Sequence, residues 1–286
     1  MTLRQRLTTP DILIAPGVYD GITAALATDA GFEALYLSGA AVAYTRLGRP
    51  DIGLSTASEM TDTMALIADR TDLPVIMDAD TGFGNALNAR RTMQSYERAG
   101  ASALQVEDQT YPKKCGHLSD KSLIPKEEMA GKIAAMADAR RHDTLIIART
   151  DAIAVEGFDA AIDRAGSYID AGADVLFIEA PRDSGELSRI ADTFKGRVPL
   201  LANMVEGGAT PISSATTLED MGFDIVIFPG GIVRALAKSA QDYYASLKAT
   251  GSNKAFSDRM HDFDGLNAAI GTPEMLALGK RFDGKS

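Results

Sequence analysis

A short pattern recurs four times along the chain and limits what it can fold into. Ala30-Gly31-Phe32-Glu33-Ala34-Leu35-Tyr36-Leu37-Ser38, Ala99-Gly100-Ala101-Ser102-Ala103-Leu104-Gln105-Val106-Glu107, Ala171-Gly172-Ala173-Asp174-Val175-Leu176-Phe177-Ile178-Glu179 and Met221-Gly222-Phe223-Asp224-Ile225-Val226-Ile227-Phe228-Pro229 share it. In each, a glycine closes a helical segment and a short apolar run suited to a strand buried on both faces follows. Four further runs lie between them: Ile12 to Ala15, Val75 to Asp78, Leu145 to Ala148 and Val198 to Ala202, entered mostly through Pro, Asp or Thr. The intervening segments carry helix signals. Asp20 caps the helix ending at Gly31, Thr56 and Glu59 form a capping box, Pro125 suits a first helical position, and Ser184 caps the segment ending near Lys195. Eight strand-helix units in 286 residues predict an α/β fold of the (β/α)8 TIM type, which typically takes ~250 residues. An open doubly wound sheet would want Gly-x-Gly-x-x-Gly after the first strand, and that fingerprint is missing.

The chain continues past the eighth strand. Val233 to Ala249 reads as a helix, Gly251-Ser252-Asn253 breaks it, and Lys254 to Phe282 is helical again. Residues 1–250 are therefore expected to form a catalytic barrel, and residues 251–286 a helical extension that serves oligomerisation or caps its own barrel. A net charge of -10 offers no basic face for nucleic acid or an anionic membrane. The single cysteine cannot form an internal disulfide, and no apolar leader follows Met1, so a cytoplasmic protein is expected.

In barrel enzymes the chemistry lies where strands end, so the residues closing the apolar runs are the ones to read. They are Ser38, Asp78 with Asp80, Glu107 with Asp108, Arg149 with Asp151, Glu179, and Asn203 with Glu206. One such aspartate is commonly a turn residue, but carboxylates pooled at one mouth repel one another without a cation. Oxygen donors with no histidine among them suit Mg²⁺ or Mn²⁺ rather than Zn²⁺. Strand alternation puts Asp78 and Asp80 on one side. Arg149 offers a planar fork for a carboxylate or phosphonate, so a small anionic substrate is implied. Lys113-Lys114-Cys115-Gly116-His117 surrounds the thiol with positive charge, which favours the thiolate, although a lone cysteine is commonly a buried hydrophobe. His142 and His261 fall away from the strand ends and read as structural.

These stretches, with Gly48-Arg49-Pro50-Asp51, Asp78-Ala79-Asp80-Thr81-Gly82-Phe83-Gly84, Ala148-Arg149-Thr150-Asp151 and Asn203-Met204-Val205-Glu206-Gly207-Gly208, resemble the isocitrate lyase/phosphoenolpyruvate mutase superfamily over nearly the whole chain. The Lys-Lys-Cys-Gly-His loop has the form of the lyase branch, and the chain looks closest to its dimethylmalate lyase, petal death protein and 2-methylisocitrate lyase groups. The resemblance implies an eighth helix exchanged between subunits of a homotetramer and Mg²⁺ near Asp51, Asp78, Asp80 and Glu107. It implies a 2-oxo acid or its enolate held by Ser38, Gly39 and Arg149, with Glu179, Asn203 and Gly116 lining the same site. The expected reaction is cleavage of a 2-hydroxy di- or tricarboxylate into a 2-oxo acid and a second carboxylate. Tyr36 or metal-bound water would take the hydroxyl proton, Cys115 would be the general acid, and Lys113, His117 and Arg149 would stabilise the developing charge. Oxaloacetate decarboxylation or hydrolysis, carboxyphosphoenolpyruvate-type mutase chemistry and a non-catalytic binding barrel are the alternatives. The resemblance also speaks against oxaloacetate hydrolysis, since relatives often end the eighth strand with Pro-Leu-Ser/Thr, a hydroxyl associated with that activity, where this chain has Pro229-Gly230-Gly231.

Overall fold

The computed structural model describes residues 1–116, 118, 120–208 and 210–283. Each of the four recurrent glycines has positive φ, from 86° at Gly31 to 107° at Gly172. After the second of these helices, the Gly100 and Ala101 amides donate back to the Glu97 and Tyr96 carbonyls at 3.1 and 3.0 Å, and the amides of Ala173 and Phe223 close their helices in the same way. This double closure satisfies the last carbonyls of each helix and turns the chain into a strand, which is why the pattern recurs.

The strands are β1 (Leu13–Val18), β2 (Leu35–Leu37), β3 (Val75–Asp78), β4 (Ala103–Glu107), β5 (Leu145–Thr150), β6 (Val175–Ile178), β7 (Leu200–Asn203) and β8 (Ile225–Phe228). All pair in parallel in chain order, and β1 also pairs with β8, so the sheet closes into the expected barrel. Leu13, Ala15, Tyr36, Ile76, Ala103, Leu145, Ile147, Val175, Phe177, Leu201, Ile225 and Ile227 belong to one buried core cluster. They fall at alternate positions along each strand, the period-2 signature of side chains filling a barrel interior.

A four-residue helix, Leu3–Arg6, precedes β1 and was not expected from the sequence, being too short to show a helical period. Its Leu3 joins the core cluster, while Arg4 pairs with Asp143 at 2.5 Å and Asp174 at 3.0 Å, residues that lead into β5 and β6. Two capping expectations shift by one residue. Pro125 is the cap outside the helix Lys126–Ala139, and the helix Ser184–Phe194 is capped by Asp183, whose carboxylate accepts from the Glu186 amide at 2.8 Å. Asp20 and the Thr56/Glu59 box cap as expected.

Compactness divides the chain into Met1–Gly231 and Ile232–Ser286. The break expected at residue 250 is the end of the helix Gly231–Thr250. Within the second unit Tyr243 packs edge-on against Phe256 at 5.5 Å, and two short helices follow, Phe263–Ala269 and Thr272–Lys280. Tyr244, Phe263, Met275, Leu276 and Phe282 are all exposed there. No helix among the described residues is long and apolar enough to cross a membrane.

Candidate active site

Barrel alternation builds the site. Moving two residues past the last inward-facing core side chain leads from Tyr36 to Ser38, Ile76 to Asp78, Ile147 to Arg149, Phe177 to Glu179 and Leu201 to Asn203. On β4 the same step runs from Ala103 through Gln105 to Glu107. The interior changes from apolar to ionic at its C-terminal end, and the register that pairs Glu107 with Arg149 puts opposite charges side by side. Asp80 reaches this mouth by another route than strand alternation. Its φ of 45° breaks the strand, its amide donates to Asp78 Oδ1 at 3.0 Å, and its carbonyl accepts from the Glu107 amide at 2.8 Å. The Gly39 backbone lies against Asp78, since a β-carbon at residue 39 would fall 2.9 Å from Asp78 Oδ2.

Two cations neutralise the carboxylates. Lys113 Nζ bridges Asp51 at 2.5 Å and Asp80 at 2.8 Å, with all three side chains nearly sealed from solvent. Burial opposes charge on this lysine, but Asp80, Asp51, Asp78 and Glu107 together hold it well above its ordinary value. Arg149 contacts Glu107 Oε2 at 3.3 Å, grips Asp151 through Nε and Nη2 at 2.9 and 3.0 Å, and lies 5.2 Å from the Phe177 ring centre. Burial would raise the Asp151 carboxyl, but Arg149 and Lys121 outweigh it and pull it down to about 2. Burial pushes Glu107 well up, against the opposing pull of Arg149. Asn203 donates to both Glu179 oxygens at 3.3 and 3.4 Å.

The loop carrying Cys115 lies across this mouth. The Cys115 amide donates to the Asp51 carbonyl at 3.2 Å. A β-carbon at Gly116 would come within 2.4 Å of Glu179 Oε1 and 2.5 Å of Arg149 Nη2, so only glycine allows this approach. Cys115 is not disulfide-bonded. His117 lies outside the described residues. His142 precedes β5, where its amide donates to Glu97 at 2.9 Å.

Tyr36 was expected as a proton acceptor, but its hydroxyl donates to Gln105 Oε1 at 2.8 Å. Burial, reinforced by Asp78, keeps the phenol protonated well above its ordinary value. Its place is therefore in a Tyr36-Gln105-Asp78 chain, with Gln105 Nε2 3.5 Å from Asp78 Oδ1. Gln105 was missed, although a glutamine in the middle of an otherwise apolar strand was the signal that could have found it. Also missed was the buried support beneath Arg149, where Asp108 accepts from Thr150, Tyr168 and the Asp151 amide at 2.7, 2.7 and 3.0 Å.

The donor set fits a hard divalent cation. Asp51, Asp78, Asp80 and Glu107 are buried. Glu107 Oε1 and Asp80 Oδ1 have no hydrogen-bond partner among the described residues, even though the latter lies close to Lys113 Nζ. No three such groups among the described residues converge into a closed cage. That is compatible with Mg²⁺, which keeps several waters and needs only one or two carboxylates.

Burial, together with Asp78 and Asp51 and against Lys113, pushes the Asp80 carboxyl up to about 6 from its ordinary 3.8. The folded metal-free protein then holds this proton up to about pH 6, whereas the unfolded chain loses it near 3.8. Stability is expected to fall as pH rises through that window. Urea unfolding in EDTA at pH 4.5 and 6.5 checks it: Asp80→Asn should reduce the drop by on the order of 2 kcal/mol, and an unchanged drop would move the effect to another group.

A phosphoenolpyruvate phosphomutase family profile matches residues 3–248. The chain is 42% identical over 270 residues to 2,3-dimethylmalate lyase of Eubacterium barkeri, covering 94% of this chain and 93% of the relative. It is 47% identical over 261 residues to 2-methylisocitrate lyase of Aeropyrum pernix, covering 91% and 83%. Its fold matches a crystal structure of 2,3-dimethylmalate lyase, described as a PEP mutase/isocitrate lyase superfamily member, with a TM-score of 0.93, 35% identity and coverage of 99% and 97%. A phosphonopyruvate hydrolase solved with oxalate and Mg²⁺ matches at 0.89, with 30% identity and 99% of each chain covered.

Proposed function

We propose that this chain, which belongs to the phosphoenolpyruvate mutase/isocitrate lyase superfamily, is a divalent-metal-dependent carbon–carbon lyase acting on a 2-hydroxy di- or tricarboxylate. Alkylmalates and 2-methylisocitrate are the substrate class, following the relatives' names. One observation carries the reading. The loop bearing the single cysteine packs through Gly116 directly on Arg149 and Glu179, over a mouth of buried carboxylates.

Asp51, Asp78 and Asp80 would hold Mg²⁺ or Mn²⁺, which when bound supplies Lewis acidity toward the substrate's C2 oxygen. Ser38, the Gly39 backbone and Arg149 bind the C1 carboxylate and fix the orientation of C2. The Tyr36 phenol already donates to Gln105, so the C2 hydroxyl proton passes to Glu107 Oε1, which has no hydrogen-bond partner among the described residues and whose carboxyl is pushed up by burial, leaving the aspartates to hold the metal. The C2–C3 bond breaks as the C2–O bond becomes a carbonyl, and its electron pair goes to C3 as the enolate of the leaving carboxylate. Lys113, Arg149 and His117 stabilise that charge, Glu179 and Asn203 line the leaving-group side, and Cys115 gives its proton to C3. The closed loop keeps water from protonating C3 first. We place the enzyme in the cytoplasm, and infer from the exposed apolar side chains of the second unit that this unit packs on neighbouring copies in a homotetramer.

A substrate panel tests the activity. With Mg²⁺, 2-oxo acid should appear from 2,3-dimethylmalate or 2-methylisocitrate and cease in EDTA. Turnover confined to oxaloacetate or phosphonopyruvate would overturn the lyase assignment. Sedimentation at micromolar concentration tests the assembly, and a monomer there rules out the tetramer.

A further inference from the structure

We propose that Lys121 is the latch of the active-site loop, tying the Gly116 carbonyl to the same Asp151 carboxylate that orients Arg149. The inference rests on the proposed function only in treating the loop segment 110–116, with Lys121, as a lid over the substrate site.

The ends of the loop are joined as a short stem. Gln109 bridges Leu123 in antiparallel fashion, the Thr110 amide donates to the Ser122 carbonyl at 2.8 Å, and the Ile124 amide to the Asp108 carbonyl at 2.9 Å. Its first turn is tied to that stem through Gln109, which accepts from the Lys114 amide at 2.9 Å and donates to the Lys114 carbonyl at 2.8 Å. These bonds lie within the loop and its base, whereas the Cys115 amide on the Asp51 carbonyl at 3.2 Å and the Tyr111 hydroxyl on the Gly53 carbonyl at 2.9 Å tie the Asp51 side of the loop to its neighbour. Two lysines reach across. Lys113 lies between Asp51 and Asp80, groups whose charge a divalent cation would share. Lys121 Nζ donates to Asp151 Oδ1 at 2.8 Å and to the Gly116 carbonyl.

The Lys121–Asp151 pair has the properties a latch requires. Its side chains are 1% and 0% exposed, so the ammonium leaves water when the loop is down. A buried pair of this kind is close to break-even overall, yet removing one partner is strongly unfavourable. Closure is therefore reversible in the intact protein, and its Asp151 side is released when Lys121 is neutral while the Asp51 side keeps Lys113 and the Cys115 amide. Asp151 Oδ1 also accepts from Arg149 Nη2 at 3.0 Å, so one oxygen serves both the lid and the substrate-binding arginine. Its amide is fixed by Asp108 at 3.0 Å, which keeps the acceptor in place when the loop lifts. Because Asp151 is not among the groups proposed to hold the metal, the latch should act with or without a divalent cation. Lys121 is thus a positioning residue: it presents Gly116 to Arg149 and Glu179 and limits the exposure of the half-buried Cys115.

Cys115 is the only thiol in the chain, so its alkylation by iodoacetamide, followed by mass spectrometry, reports loop opening. In ligand-free protein, at a temperature where circular dichroism shows the variant still folded, Lys121→Met should be alkylated at least about tenfold faster than wild type, in EDTA and in Mg²⁺ alike. Lys121→Arg should restore the slow rate. Removing a nearby positive charge lowers thiolate content, so faster labelling cannot come from a more reactive sulfur. A Lys121→Met rate within about threefold of wild type would overturn the proposal. Should that variant fail to fold, Lys121→Gln, which keeps a polar side chain without the charge, is labelled instead: faster alkylation supports the latch, and a rate within about threefold of wild type refutes it. A separate arm adds oxalate with Mg²⁺ to wild type. Failure of oxalate to slow alkylation further would count against the substrate site while leaving the ligand-free latch result to stand.

Discussion

Cys115→Ala lowers kcat for carbon–carbon cleavage by about 10²–10⁴-fold, the usual contribution of a positioned general acid, and leaves Mn²⁺ and oxalate affinities near wild type. Geometry supports this separation. Cys115 touches the carboxylate side through its backbone, where its amide meets the Asp51 carbonyl, and the neighbouring Gly116 makes the close approach to Arg149 and Glu179. Alanine keeps both backbone contacts and removes only the sulfur. Asp78→Ala should show the opposite pattern, with metal affinity and turnover lost together, because Asp78 is buried beside Gly39 and anchors the Asp80 amide. Steady-state kinetics with Mn²⁺ titrated by electron spin resonance distinguishes the two. A Cys115→Ala enzyme within tenfold of wild-type kcat would remove the thiol from the proton transfer and leave the metal assignment intact.

The barrel could be read from sequence because its signals are local. A left-handed glycine after each of four helices needs no distant partner, and strands buried on both faces appear as unbroken apolar runs. The site wall was legible for a related reason: the last inward position of a strand is polar only when it faces something other than core, as at Ser38, Asp78, Glu107, Arg149, Glu179 and Asn203. What sequence did not reveal depends on long-range pairing. Lys121 looks like any solvated loop lysine until the fold carries it to Asp151, thirty residues away. Asp108 looks like a turn residue until Tyr168 and Thr150 converge on it. Arg149 was read as a fork open to substrate, whereas Asp151 and Glu107 already hold part of it, leaving its orientation to its neighbours. Tyr36 shows the same limit, since its proton is committed to a glutamine on another strand.

Arg149→Met should abolish measurable turnover and destabilise the fold by about 3 kcal/mol, the lower end of the cost of stripping one partner from a buried ion pair. The lower end applies because its two carboxylates retain other means of relief. Glu107, already pushed well up by burial, takes a proton once the guanidinium is gone, while Asp151 keeps Lys121. Arg149→Lys should recover much of the stability but little activity, since an ammonium cannot reproduce the two-point contact made through Nε and Nη2. The pH dependence gives a second check. Asp151 is held down to about 2 from its ordinary 3.8, so the stability it contributes is fully present above that ordinary value and disappears as pH falls toward about 2. The gap between wild type and Arg149→Met in urea unfolding should therefore narrow over that acidic window. A gap that stays constant would mean that the loss arises from packing against Phe177, 5.2 Å from the guanidinium carbon, rather than from the shared carboxylate.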